Sequence, residues 1–204
     1  MQIISQSSHI LSPEDGLEAL KAVEYAGRTC YRSAQAIAPD SAPAFVARLI
    51  AREHLSPLEF AGMTVELTTS RDVMAELTRH RLSSFCVESQ RFVDAGGDIQ
   101  FIRPENIRPG TEAFEIWREH MLACERAYAR LRVLGMPPQD ARKVLPNSAA
   151  THMTVRANLR QWRHIFALRT APGVYPEMRA LMGALLKQAK AHIPVVFDDL
   201  VSPD

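Results

Sequence analysis

Residues Met63–Arg91 read MTVELTTSRDVMAELTRHRLSSFCVESQR, and their hydrophobic period changes twice. Met63, Val65 and Leu67 alternate with Thr64, Glu66 and Thr68, the two-residue period of a half-buried strand. Ser70 then offers a cap, Asp72 follows it, and Val73, Met74 and Leu77 recur at helical spacing toward Arg79-His80-Arg81. From Ser84 to Val93 the pattern is extended again. Upstream, Ser12 as N-cap, Pro13 at the first helical position, Asp15 and the series Leu17, Leu20, Val23 predict a helix that ends near Gly27. A loop at Pro39–Pro43 precedes a second helix carrying Phe45, Val46, Leu49 and Ile50, ended by His54–Pro57. Downstream, Gly96-Gly97 and Pro104–Gly110 are turns around the apolar piece Ile99–Ile102. A long amphipathic helix runs from about Thr111 to Leu134, stopped by Gly135 and Pro137-Pro138, and Gln139–Leu145 is a short helix ended by Pro146. Thr151–Arg156 reads as a strand, Ala157–Leu168 as a helix and Tyr175–Ile193 as the last helix. The expected class is α+β: a mainly antiparallel central sheet flanked by helices, a helical insertion near 111–145, and one domain over 1–204.

At 204 residues and 47% hydrophobic, the chain is long enough to bury a substantial core. A net charge of +1 disfavours a broadly basic nucleic-acid platform. Charge or proline breaks every apolar run, and Met1–Ile10 lacks the basic start and apolar stretch of a signal peptide, so a cytoplasmic protein without membrane contact is expected. Cys30, Cys86 and Cys124 are widely spaced, which suggests neither a disulfide framework nor a zinc site. His54, His80 and His164 lack the spacing of metal ligands, so no metal is expected. Lysine occurs only at 21, 143, 187 and 190; the remaining cations are arginines, whose planar fork suits phosphate and carboxylate. A GC-rich genome yields the same bias.

The densest polar cluster is Arg79–Arg91. Its first three residues lie where a helix ends, and there cations offset the helix dipole. In an extended continuation, Ser89 and Arg91 share one side and Glu88 and Gln90 the other, which places a hydroxyl beside a guanidinium. Arg-His-Arg, seven residues, then Ser resembles the signature of the flavin-dependent thymidylate synthases, and Glu88-Ser89-Gln90-Arg91-Phe92 is similar to a variant of its end. His54-Leu55-Ser56-Pro57-Leu58-Glu59-Phe60 upstream, with Ala141–Pro146, Asn158-Leu159-Arg160 and Leu168-Arg169 downstream, resemble further family blocks in the family's order. The resemblance covers roughly residues 20–200. It implies that Ser56, Arg79, His80, Arg81, Asn158, Arg160 and His164 hold FAD, shared between subunits of a homotetramer. Likewise it implies that Glu76, Arg79, Ser89, Gln90, Arg91, Arg142 and Arg169 hold dUMP. Arg169 matches the arginine that sits near the uracil ring and assists ionisation, so it is the catalytic candidate. NADPH as reductant and 5,10-methylene-tetrahydrofolate as one-carbon donor follow from the same resemblance.

If Ala157–Leu168 is a helix, Asn158 and Arg169 share one edge and Arg160 and His164 another face, lying one turn apart. A solvated face would also explain these arginines. The chain departs from the family pattern at Cys30, where serine is common, and at Val87, with the usual carboxylate displaced to Glu88. Phe60 replaces a common histidine, and Val174–Arg179 is also altered. Cys86, flanked by Phe85 and Val87, is expected to be buried as a small apolar residue rather than to act as a nucleophile. Two other readings stand beside the enzyme: a nucleotide- or RNA-binding module whose arginines only grip phosphates, and a flavoprotein oxidoreductase without methyl transfer.

Overall fold

Met63, Val65 and Leu67 are completely buried while Glu66 is exposed, so the alternation in the sequence does build a strand. The computed structural model describes residues 1–94, 96 and 99–203; Gly97, read as part of a turn, lies outside them. In chain order the elements are β1 (Gln2–Ile4), β2 (Ser7–Ser12), α1 (Gly16–Cys30), α2 (Ser41–Ala51), β3 (Gly62–Ser70), α3 (Arg71–Leu77) and β4 (Ser83–Val87). They continue with β5 (Gln100–Ile102), α4 (Glu112–Val133), α5 (Pro138–Ala141), β6 (Ala150–Asn158), α6 (Leu159–Arg169) and α7 (Pro176–His192). Short 3-10 turns occupy Ala34–Ala36, Ser56–Phe60 and Arg142–Val144. The main sheet is antiparallel, four-stranded, ordered β2-β3-β6-β4 and flanked by helices; β1 and β5 form a separate parallel pair. No helix among the described residues is long and apolar enough to cross a membrane.

The chain divides into two compact units, each assembled from separated stretches. The first comprises Met1–Ser7, Leu67–Arg79 and Cys86–Met153. Its core gathers Ile99, Phe101, Trp117, Met121, Tyr128, Ala141 and Ala149. Trp117, Met121, Cys124 and Tyr128 recur three or four positions apart, so α4 buries a single stripe. Thr111 caps this helix by accepting the Phe114 amide at 3.2 Å, and Gly135, at φ 84°, ends it in the left-handed region. Together α4, α5 and the turn after it form the expected helical insertion.

The second unit comprises Ser8–Glu66, His80–Phe85 and the chain from Thr154 onward. Trp162 stacks on Phe166 in its core, Phe197 meets Phe166 edge-on, and the Trp162 indole donates to the Met63 carbonyl at 2.8 Å. That bond satisfies the one polar atom of a side chain that is 1% exposed. Gly16 starts α1 where any Cβ would stand 1.9 Å from the His192 carbonyl oxygen, so only glycine fits there.

Several expectations need correction. The N-cap of α1 is Asp15, whose carboxylate accepts the Leu17 amide at 2.8 Å; Ser12 is still extended because Ser7–Ser12 is a sheet strand. Strand β4 ends at Val87, and one further ladder bond follows at Glu88. Beyond it the Phe92 and Val93 amides donate to the Ser89 carbonyl, a tight turn, so the alternation proposed for Glu88–Arg91 does not exist. Helix α3, by contrast, ends at Leu77 with Thr78 as its cap, and the Arg79 amide donates to the Glu76 carbonyl at 3.3 Å, so Arg79-His80-Arg81 follow directly on a helix end as the sequence indicates. Asn158 caps α6 rather than lying within it.

Candidate functional site

In the second unit, chain reversal after α3 carries His80 inward, leaving it 7% exposed. Arg169, at the C-terminal end of α6, donates from Nε to His80 Nε2 at 2.9 Å. Nε2 therefore accepts, which places the ring proton on Nδ1. Burial first, then the charge of Arg169 and the His164 ring, hold the His80 pKa down to about 4. His164 stands edge-on to His80 with ring centroids 6.1 Å apart. A neutral imidazole thus orients the Arg169 guanidinium.

The pH consequence has a definite sign. In the unfolded chain His80 titrates near its ordinary value of 6.5, whereas the folded state keeps it neutral down to about 4. Across that window the unfolded state binds more protons, so stability falls as pH drops from 6.5 to 4 and is unaffected above. His80→Gln is expected to flatten the difference in urea midpoint between those two pH values. Parallel midpoint-against-pH curves for variant and wild type would exclude this account.

The other flavin candidates lie in the same unit, except Arg79, which is exposed in the first. Ser56 opens the 3-10 turn Ser56–Phe60, and Arg160 and His164 are both exposed one turn apart on α6. The Arg160 guanidinium pairs with Glu59 at 2.6 Å, but both partners are about half exposed, so the pair adds little stability. Asn158 spends its carbonyl oxygen on the Gln161 amide at 2.7 Å, leaving its NH2 group as the available donor. An open hollow is lined by Glu59, Phe60, Arg81, Ser83, Arg156 and Asn158. The Ser83 hydroxyl there is buried without a hydrogen-bond partner, a donor that an incoming acceptor would satisfy. Sequence reading missed Ser83, because a serine within a strand carries no signal of its own.

Within the first unit, a second hollow brings together Glu88, Gln90, Arg142 and His152, walled by Ile99 and Tyr128. Gln90 and Arg142 were expected to meet; Glu88, whose role was open, joins them. The strand pairing continues one step past β4, where the Glu88 amide donates to the His152 carbonyl at 2.8 Å. Arg71, which sequence reading passed over, is held below the ordinary arginine range by burial and then by the charge of Arg142, with Glu88 opposing. Neither guanidinium has an ion pair among the described residues; Arg71 reaches only the Thr151 hydroxyl at 3.5 Å. Only the position of Arg71 at the first turn of α3, directly after β3, could have flagged it.

Arg91 stands apart from that hollow's walls. Its Nε donates to the Gln139 side chain at 3.2 Å, its guanidinium covers Phe92, and its amide donates to the Ser89 hydroxyl at 3.3 Å. Ser89 and Arg91 therefore adjoin through a turn, not through strand geometry. Glu76 is half-buried on α3. Cys86, expected to be buried, is exposed on β4, because its neighbours Phe85 and Val87 take the inward side of the strand.

A family model described as thymidylate synthase complementing protein matches residues 15–195. The chain is 33% identical over 186 residues to the flavin-dependent thymidylate synthase of Geobacter sulfurreducens, covering 87% of this chain and 80% of that protein. It is 34% identical over 224 residues to the enzyme of the same name from Mycolicibacterium vanbaalenii, covering 98% and 88%. Its fold is similar to that of the UMP/dUMP methylase PolB from Streptomyces cacaoi bound with 5-Br dUMP. That match has a TM-score of 0.82 at 22% identity and covers 100% of both chains.

Proposed function

The chain belongs to the thymidylate synthase complementing protein family, the flavin-dependent thymidylate synthases, and from that premise we propose that it converts dUMP to dTMP. FAD serves as redox cofactor, NADPH as reductant and 5,10-methylene-tetrahydrofolate as one-carbon donor, in a cytoplasmic homotetramer with shared active sites. The observation that carries this reading is the hollow of Gln90, Glu88 and Arg142, with Arg71 behind them. Arg142 lines the hollow without an ion pair among the described residues and acts electrostatically on Arg71, a cationic pair that suits an anion, and apolar Ile99 and Tyr128 provide a wall for a flat base.

Uracil C5 is a poor nucleophile until electron density is pushed onto it. Arg169 is the residue we assign to that task. A guanidinium fixed by a neutral histidine needs no reorganisation as negative charge develops on the pyrimidine. Arg71 and Arg142 bind the phosphate, Gln90 can both donate to and accept from the base, and the Ile99 and Tyr128 wall excludes water. The donor set of the other unit fits a flavin: the orphaned Ser83 hydroxyl, the Asn158 amide, Arg81 and Ser56 would hold its phosphates and ring. When bound, the flavin supplies the reducing equivalents.

NADPH oxidation with added FAD, measured with and without dUMP and methylene-tetrahydrofolate, tests the reading. Thymidylate formed only when all components are present is the expected product. Oxidation without dTMP would reduce the protein to a flavin oxidoreductase, and absence of bound flavin would leave a nucleotide-binding module.

Because the chemistry is assigned to arginine rather than to a thiolate, Cys86→Ser is expected to keep kcat for dTMP within about twofold. Cys86 is exposed on β4 and has no hydrogen-bond or ionic partner among the described residues. Buried Cys124, whose pKa is pushed up by burial, supplies the control through Cys124→Ser. Loss of turnover in folded, FAD-loaded Cys86→Ser alone would show that the chemistry is covalent.

A further inference from the structure

The 3-10 turn containing Ser56 is preceded by a groove that no part of the reaction described above uses. Tyr31, Ser33, Phe45, Arg48, Arg52 and His54 line it, all within the second unit. Arg48 and Arg52 lie one turn apart at the end of α2, both exposed. Neither has an ion pair or hydrogen bond from its side chain among the described residues; Arg48 only faces the Phe45 ring, 5.9 Å away. Three other arginines of this unit are paired with carboxylates: Arg28 with buried Glu24, Arg160 with Glu59 and Arg163 with Asp199. No carboxylate lines the groove.

Its polar rim is set by the C-terminal ends of two helices, α1 and α2. Of the three non-glycine residues at positive φ, two flank it: Arg32 at 47° and Glu53 at 56°. Tyr31 and Ser33 bracket the first, Arg52 and His54 bracket the second, and all four line the groove. Arg32 and Glu53 are the left-handed residues that end α1 and α2, where the Ser33 and His54 amides donate to the Arg28 and Leu49 carbonyls. Across the groove the Tyr31 hydroxyl meets His54 Nδ1 at 3.3 Å, joining the two turns.

We propose that this groove binds the anionic end of a co-substrate: a flat ring carrying a doubly negative group, seated against Tyr31 and held by Arg48 and Arg52. The inference rests on the proposed reaction, whose co-substrates include two such ends. One is the adenosine of NADPH with its ribose 2′-phosphate, and the other is the aminobenzoyl ring with its glutamyl carboxylates in the folate. Guanidinium forks a turn apart suit a phosphomonoester and a dicarboxylate alike.

The test compares FAD-loaded wild type, R48A/R52A and R48K/R52K by calorimetric titration with NADPH, NADH, and mono- and triglutamyl tetrahydrofolate. The alanine pair is expected to weaken either NADPH relative to NADH or both folates by about ten- to a hundredfold. The lysine pair should recover most of that loss, and dUMP affinity should not change. Weakened NADPH with unaltered NADH assigns the groove to the 2′-phosphate; weakened folate assigns it to the glutamyl end. Unchanged affinities in a wild type that makes dTMP would overturn the proposal alone. Loss of FAD from the alanine pair would give the groove to the flavin, and a shift in oligomeric mass would give it to a subunit contact; either overturns the proposal. A wild type that binds none of the four probes would sink the proposed reaction as well.

Discussion

Arg169→Ala is expected to lower kcat for dTMP formation by about 10²–10³-fold while FAD remains bound. The guanidinium is half-buried at the end of α6, with Nε committed to His80 at 2.9 Å, so its orientation is set before substrate arrives. In a water-poor site a preoriented donor acts mainly on charge that develops during reaction. Its loss should therefore reduce kcat more than it raises KM for dUMP. Arg169→Lys keeps the charge but loses the planar fork that His80 orients, and should recover only part of the rate. Single-turnover measurement on flavin-saturated enzyme separates chemistry from product release. A kcat within threefold of wild type for Arg169→Ala would remove Arg169 from the chemistry.

Where burial alternates strictly, the fold was legible. Strands β3 and β6 each bury every second residue, and α4 shows both a capping threonine and a terminating glycine, so their boundaries fall within one or two residues of those read from the sequence. The failures have a common cause. Strands β1 and β2 are short and largely exposed, as edge strands are; β2 owes its structure to pairing with β3, which no local pattern announces. Ser84–Val93 contains nothing that breaks a strand, yet the chain turns at Ser89 because backbone bonds to the Ser89 carbonyl win over ladder pairing. At the candidate site, the family blocks indicated which residues to examine but not which side chains meet. The His80–Arg169 bond joins positions 89 apart, and the charge of Arg142 acts on Arg71, a pairing that no local spacing shows. Local spacing also placed Asn158 inside a helix whose first turn it in fact caps.

Arg71→Ala and Arg142→Ala are each expected to raise the Kd for dUMP by about ten- to a hundredfold, the loss of a charge-assisted hydrogen bond. Arg71 is held below the ordinary arginine range by burial and by the charge of Arg142, so the two cations repel. Glu88 relieves this only in part, since it forms no ion pair with either among the described residues. A phosphate dianion entering beside them removes the repulsion and gains two forked donors, so binding energy is concentrated on that group. Because both arginines act on one phosphate, the double variant should lose less than the product of the two single effects. Deoxyuridine, which lacks the phosphate, provides the decisive comparison: wild type should prefer dUMP strongly, and each variant should lose most of that preference while binding deoxyuridine as before. Folding should not suffer, since removing Arg71 also removes a repulsion, and an unchanged or higher urea midpoint is expected. If either alanine weakens deoxyuridine as much as dUMP, the arginine concerned supports the hollow's shape or the base, and the phosphate is bound elsewhere.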